Sequence, residues 1–377
     1  MNNFAVGPRV YDNYSVEQFL DEIKNTDKDL FLITRIIYDT FLKKYELKGN
    51  IMLYEDYCNG EPNDTCVTAM IQALKDIDAN RIIAIGGGSV LDTAKLLCVE
   101  GAESTEQIYE DKIKLERKKE LYLISTTSGT GTEMTCVSVI DREKQKSKIG
   151  KRIESNFADK AFLIPELLYS IPRTVFAYST IDALIHAMEI YVSPNASNYS
   201  KLFCKEAISL IVTGFQKLKE NGIEQRFEYM DDFLRASNYA GIALANDVCG
   251  AVHACAMHFG SKNHVGHGES NYTFLTAVFK TYNSLQPDNK ELKDVKDIIA
   301  AAMKLDSVNS QFDIVLDELD KLLDTLVHKK KLSEYGVKED ELMDYVNKVF
   351  ETQQRLLINN AVKMNKEEFI NIYRLAI

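Results

Sequence analysis

Histidine is scarce in this chain of 377 residues, with six in all. Long apolar runs are missing too, so no segment reads as a membrane-spanning helix and no membrane partner is expected. The start, Met1-Asn-Asn-Phe4, lacks the basic and apolar stretches of a secretory signal. Among seven cysteines no C-x-x-C pair occurs. The odd count and the apolar helical contexts of several predict reduced thiols in a cytoplasmic protein. Positive charge is in deficit, at a net −11, which argues against a nucleic-acid partner needing a basic face. The basic runs at 142–148 and 328–331 read as solvated faces. Internal repeats and low-complexity tracts are absent. A composition of 45% hydrophobic and 27% charged residues is ordinary for a globular protein, and the length accommodates two domains.

The few histidines are clustered. His253, His258, His264 and His267 fall within one short stretch, His186 follows Asp182 by four residues, and only His328 stands apart. Positions i and i+4 share a helix face, so Asp182 and His186 can present an oxygen and a nitrogen to one ion. A helix followed by a Gly-punctuated loop would bring His253 and His267 together. One Asp and three His form a mixed O/N set suited to Fe²⁺ or Zn²⁺. The plainer alternative is a helix-surface pair beside unrelated loop and core histidines. Against it, Ala183, Leu184, Ile185, Ala187, Met188 and Ile190 predict a buried segment, where an unpaired charge is costly.

Strand-like and helix-like segments alternate in the first half. Strands are expected at 29–34, 51–54, 81–85 and 120–124, with helices at 37–45 and 65–77 and another following the third strand through Leu97. Such alternation implies a parallel sheet covered by helices. Beyond about Pro165 the strands cease, and helical stretches are expected at 176–192, 199–219, 227–258, 291–304, 311–327, 339–357 and 366–375. The expected architecture is an α/β dinucleotide-binding domain (1–175) followed by an all-α domain (176–377).

Two turns punctuate the first domain. Gly86-Gly87-Gly88-Ser89 follows a buried strand and opens a helix, where free N–H groups and the helix dipole suit a pyrophosphate. It is neither G-x-G-x-x-G nor a Walker loop, and tight turns use glycine for steric reasons alone. Its place at the carboxyl end of a strand favours the ligand reading. Thr126-Thr127-Ser-Gly-Thr130 ends the next strand and adds hydroxyls.

The segments Gly86-Gly-Gly-Ser-Val-Leu-Asp92-Thr-Ala-Lys95, Thr126-Thr-Ser-Gly-Thr-Gly-Thr-Glu133, Asp182-x-x-x-His186 and His253 through Gly268 occur in one order and spacing. Together they resemble the iron-dependent (group III) alcohol dehydrogenases over most of the chain. The resemblance implies an NAD(H)- or NADP(H)-linked dehydrogenase with one divalent metal, Fe²⁺ or Zn²⁺, acting on a small alcohol or aldehyde between its two domains. A carboxylated pair, 4-hydroxybutyrate and succinate semialdehyde, is the expected substrate, and a homodimer the expected assembly. By motif position Asp182, His186, His253 and His267 are the implied metal ligands. Gly87, Gly88 and Ser89 would hold the pyrophosphate, with Asp92, Thr126, Thr127, Thr130 and Lys148 lining the cofactor.

Two departures from the family pattern bear on mechanism. Many members carry a second His four residues after the third ligand, where this chain has Met257, which cannot relay a proton. His258 is next to it, about 100° away on a helix, so His258 is a candidate relay, and ribose and water offer another route. Arg35 follows the first predicted strand, where a basic residue suits the 2′-phosphate of NADP(H). Lys262, Asn263 and His264 are candidates for holding a substrate carboxylate, His264 doubling as a possible second partner of a metal ligand. A dehydroquinate synthase-like lyase is the runner-up and would show no net NADH turnover. A non-catalytic binding protein would oxidise no NAD(P)H at all.

Overall fold

The computed structural model describes residues 4–145, 147–306 and 310–377. Residues 1–3 of the stretch read for a signal, and Lys146 of the first basic run, lie outside the described residues. The chain divides into two compact units, Ala5–Ile171 and Pro172–Ile377, the second joined by Phe4.

The first unit is built on six parallel strands in the order β1-β8-β5-β4-β2-β3. They are β1 (Arg9–Tyr11), β2 (Asp29–Ile33), β3 (Asn50–Leu53), β4 (Arg81–Gly86), β5 (Glu120–Ser125) and β8 (Lys160–Phe162). Successive side chains on a strand face opposite ways. Leu30, Leu32, Ile82, Ala84, Leu121 and Leu123 therefore enter one core, and Phe31, Ile33, Ile83, Ile85, Tyr122 and Ile124 the other. Burial on both faces is why these strands read as unbroken apolar runs. At the opposite edge of the register, Arg81 donates two hydrogen bonds to Asp29, at 2.8 and 2.6 Å.

Register aligns the functional ends. Ile33 pairs with Ile85 and Gly86 with Ser125, so the glycine turn and the threonine turn leave the sheet side by side. Helices α1 (Val16–Ile23), α2 (Asp64–Ala73) and α3 (Gly88–Leu97) belong to this unit, with α1 opened by a capping box between Ser15 and Gln18. Four strands escaped the periodicity reading. β1 and β8 are three residues each and exist through pairing across the chain. An antiparallel hairpin of β6 (Val137–Arg142) and β7 (Ser147–Arg152) spans the charge-rich segment.

The expectation of seven reduced cysteines is corrected at two positions. The turn entering α2, where Asn63 accepts from the Cys66 N–H, brings Cys66 against Cys58, and the two form a disulfide. Cys98, Cys136, Cys204, Cys249 and Cys255 are free and buried.

The second unit is helical: α4 (Arg173–Val192), α5 (Asn198–Asn221), α6 (Met230–Asn246), α7 (Ala251–Asn263), α8 (His267–Leu285), α9 (Lys290–Ala302), α10 (Phe312–Asp324), α11 (Leu342–Thr352) and α12 (Lys366–Ala376). Every residue from 181 to 190 is buried, which makes α4 the central helix of this unit. The single helix expected over 227–258 is broken at 247–250, with a 98° bend. His267 was expected on a Gly-punctuated loop, and no helix was expected over 267–285, yet one is present. His264 ends α7 in the left-handed region, at φ 55°, and His267 is already the first residue of α8. Gly268 is needed here because a Cβ would come within 2.4 Å of the Tyr178 carbonyl on α4. Among the described residues, no single helix is long and apolar enough to cross a membrane.

Candidate metal centre and nucleotide turn

Three helices of the second unit converge on one carboxylate. Asp182 and His186 sit one turn apart on α4, and His253 lies in the first turn of α7. All three are buried, whereas the His267 side chain at the start of α8 is 43% exposed. Donor atoms of the four lie within 4.8 Å of one another. Asp182 Oδ2 is 3.9 Å from His186 Nε2 and 3.7 Å from His267 Nε2, while Oδ1 is 3.7 Å from His253 Nε2. These separations are too long for hydrogen bonds. They approach the roughly 3.4 Å expected between donors around a tetrahedral ion with bonds near 2.1 Å.

A divalent metal fits this set on the structure's own terms. His253 Nε2 is buried and makes no hydrogen bond, a costly state that coordination would relieve. Burial alone raises the proton affinity of Asp182. The charges of His267, His186 and His253, with a hydrogen bond from Asn271, outweigh it and hold the carboxyl below its ordinary range. Asn271 was not singled out by its spacing. It stands one turn after His267, donates to Asp182 Oδ1 at 2.7 Å and lies 3.2 Å from His267 Nε2.

The other histidines of the cluster face elsewhere. His258 packs against the Tyr345 ring of α11 at 5.4 Å, and burial, helped by Lys262 and Lys348, lowers its proton affinity. His264 is exposed as the cap of α7. Lys262 pairs with Glu341 at 3.3 Å and lies over the Tyr345 ring, while Asn263 donates to the Tyr345 hydroxyl at 2.8 Å. Neither His258 nor His264 belongs to the four-residue cluster, and Lys262 and Asn263 already have partners on or beside α11.

In the first unit, Gly87 stands at the N-cap of α3 and no side chain caps the helix, so its first N–H groups remain available to an anion. Gly88 is sterically required: a Cβ there would meet Thr130 at 2.9 Å. The Tyr54 hydroxyl, just past β3, donates to the Gly60 carbonyl at 2.9 Å. Thr126 donates its N–H to the Gly86 carbonyl at 3.0 Å, and the buried Thr127 hydroxyl oxygen has no hydrogen-bond partner.

Three residues proposed for the cofactor are already engaged. Asp92 accepts from the Thr132 hydroxyl at 2.6 Å and from the Val139 N–H at 2.9 Å. The fully buried Lys95 joins it, donating to Thr132, Thr135 and the Val137 carbonyl. Burial lowers the proton affinity of Lys95, with Asp92 opposing. This network ties α3 to the segment after the threonine turn, so Asp92 braces the site from within. Lys148 pairs with Glu61 at 2.5 Å. The Arg35 guanidinium pairs with Asp56, and its backbone N–H donates to Glu55 at 2.8 Å.

A parallel sheet with an uncapped glycine turn, and a helical unit holding an Asp/His₃ cluster, fit a metal- and nucleotide-dependent enzyme. Comparison with known proteins makes the class specific. Residues 9–165 match iron-containing alcohol dehydrogenase, and residues 176–377 match the C-terminal domain of the Fe-containing alcohol dehydrogenase family. The chain is 39% identical over 374 residues to 4-hydroxybutyrate dehydrogenase of Clostridium kluyveri, covering 99% of each. It is 32% identical over 333 residues to long-chain-alcohol dehydrogenase 1 of Geobacillus thermodenitrificans, covering 87% of this chain and 82% of the relative. Its fold is shared with a crystal structure of 1,3-propanediol oxidoreductase (TM-score 0.83, 21% identity, 100% of both chains). It is shared equally with sulfoacetaldehyde reductase from Bifidobacterium kashiwanohense in complex with NAD⁺ (TM-score 0.84, 19% identity, 100% of this chain and 98% of that one). The chain belongs to the iron-containing alcohol dehydrogenase family, whose members combine NAD(P)H with a divalent metal.

Proposed function

We propose that this dehydrogenase interconverts 4-hydroxybutyrate and succinate semialdehyde. The observation that carries the chemistry is the Asp182–His186–His253–His267 cluster with its unpartnered buried nitrogen. The likeness to the Clostridium kluyveri enzyme supports the substrate. When bound, the divalent metal supplies Lewis-acid polarisation of the substrate oxygen. Asp182, His186, His253 and His267 hold it, and the exposed side of His267 leaves the cluster open to a small alcohol. N–H groups at the start of α3 hold the pyrophosphate. With a dinucleotide bound, the cofactor would supply hydride exchange with the carbinol carbon; the hydroxyl proton would leave through ribose and water, because Met257 cannot carry it and His258 faces Tyr345.

NAD(H) is the proposed cofactor. An acid at the end of a strand neighbouring the glycine turn suits a ribose 2′-hydroxyl, and a free cation suits a 2′-phosphate. Here Arg35 pairs with Asp56, with Glu55 beside it, which favours NADH while leaving NADPH tolerated. A cytoplasmic homodimer completes the proposal, its assembly readable by light scattering. The functional test is anaerobic reconstitution with Fe²⁺ or Zn²⁺, followed by NADH absorbance with succinate semialdehyde and a panel of uncharged aldehydes. Preference for succinate semialdehyde is expected; a higher kcat/KM for uncharged aldehydes overturns the substrate assignment.

A further inference from the structure

Glu189 lies one turn beyond His186 on α4 and is 2% exposed. A buried carboxylate needs several donors to be tolerable. Glu189 finds donors at the start of α7: Oε1 accepts the Val252 N–H at 2.6 Å, and Oε2 accepts the His253 N–H at 3.3 Å. Helix α7 has no side-chain cap at its own Gly250, so this acid from another helix fills its first-turn donors, where a negative charge is favoured. Gly250 permits the approach, since a Cβ there would lie 3.3 Å from Oε1.

The same carboxylate meets the His253 ring. Oε2 lies 2.7 Å from Nδ1. A carboxylate only accepts, so the proton of a neutral imidazole in this contact must sit on Nδ1. Nε2 is then left with its lone pair, facing Asp182 Oδ1 at 3.7 Å. The backbone bonds fix where the first turn of α7 stands, and the ring bond fixes which nitrogen faces the cluster.

We propose that Glu189 is a positioning residue for the metal: it selects the His253 tautomer that ligates through Nε2, and metal affinity depends on it. The proposal rests on the reading of Asp182, His186, His253 and His267 as ligands. The informative variant is Glu189→Gln, which is nearly isosteric. With its oxygen kept on the Val252 N–H, its amide turns a donor toward Nδ1 and forces the His253 proton onto Nε2. Losing such an outer partner typically costs about 10- to 100-fold in metal affinity.

The test is competition for Zn²⁺ and Co²⁺ against a chromophoric chelator, with the Co²⁺ visible spectrum as a second readout. Wild type, Glu189→Gln and Asp182→Asn are compared, and circular dichroism reports the fold of each metal-free protein. Weaker metal binding by at least tenfold and an altered Co²⁺ spectrum in folded Glu189→Gln support the inference. Affinity within about twofold of wild type overturns it. Stoichiometric high-affinity binding by Asp182→Asn would instead overturn the underlying ligand reading. Should Glu189→Gln not fold, ¹⁵N-histidine spectra of wild type with Zn²⁺ decide the matter. A protonated Nδ1 and ligated Nε2 on His253 support the inference, and ligation through Nδ1 overturns it.

Discussion

The nucleotide turn and the metal cluster are built in opposite ways. The turn is backbone chemistry from a contiguous stretch: β4 ends at Gly86, Gly87 is the N-cap, and α3 starts at Gly88 with uncapped N–H groups. The cluster is side-chain chemistry gathered from three helices, with Asp182 and His267 85 positions apart in the chain. A backbone site tolerates change wherever its dihedral and steric needs are met. A side-chain site depends on every helix that delivers a donor, and here Glu189 and Asn271 contact those donors. Substitutions in the two places should therefore fail differently.

The largest effect is expected at the cluster. Asp182→Asn or His267→Ala should lower kcat/KM by about 10³-fold, since several kcal/mol of polarisation are lost. Nucleotide binding, read by NADH fluorescence, should be unchanged; loss of both together would erase the proposed division of labour. Next comes the buried network behind the turn. Lys95→Met strands Asp92 and should destabilise the first unit by about 3 kcal/mol, seen as a lower denaturation midpoint with metal content retained. An unchanged midpoint would mean that Asp92 is not held by Lys95.

A smaller effect is expected at the turn. Gly88→Ala crowds Thr130 and should raise the KM for the nucleotide about tenfold, the scale of a modest overpacking penalty, while Zn²⁺ affinity stays at the wild-type value. A fall in Zn²⁺ affinity would contradict the separation of the two sites. The smallest effect is expected at the exposed Arg35–Asp56 pair, because such pairs contribute about 0.2–1 kcal/mol. Asp56→Asn should shift the NADPH/NADH ratio of kcat/KM toward NADPH by up to about fivefold. No shift would remove Asp56 from cofactor choice.

Much of this was legible before folding was considered. The run Arg81-Ile-Ile-Ala-Ile85 reads as a strand because both of its faces are buried, and the glycines after it mark the turn. Asp182 and His186 read as a pair because four residues are one helical turn. The misreadings have local causes. The stretch 227–258 keeps an amphipathic helical pattern, so periodicity carried it across the break at 247–250, where α7 starts on donors filled by Glu189. Gly266 and Gly268 suggested a loop, yet Gly268 is a contact point between α8 and α4. The hairpin β6–β7 is dense in charge and has a weak apolar signal. Asn271 and Glu189 were in plain view, but their importance lies in what they touch.

Residue type and spacing along the chain decided that this protein has a glycine turn after a buried strand and an Asp/His pair on a buried helix. Those features depend on neighbours within a few residues, and short-range geometry is nearly the same in every protein. The fold decided the rest: that Asp56 neutralises Arg35, that Lys95 holds Asp92, that His258 faces Tyr345, and that Glu189 faces Nδ1 of His253. Each is a contact between side chains brought together by packing. The charge, tautomer and direction of a polar group are set by its partner in space, which spacing along the chain does not encode.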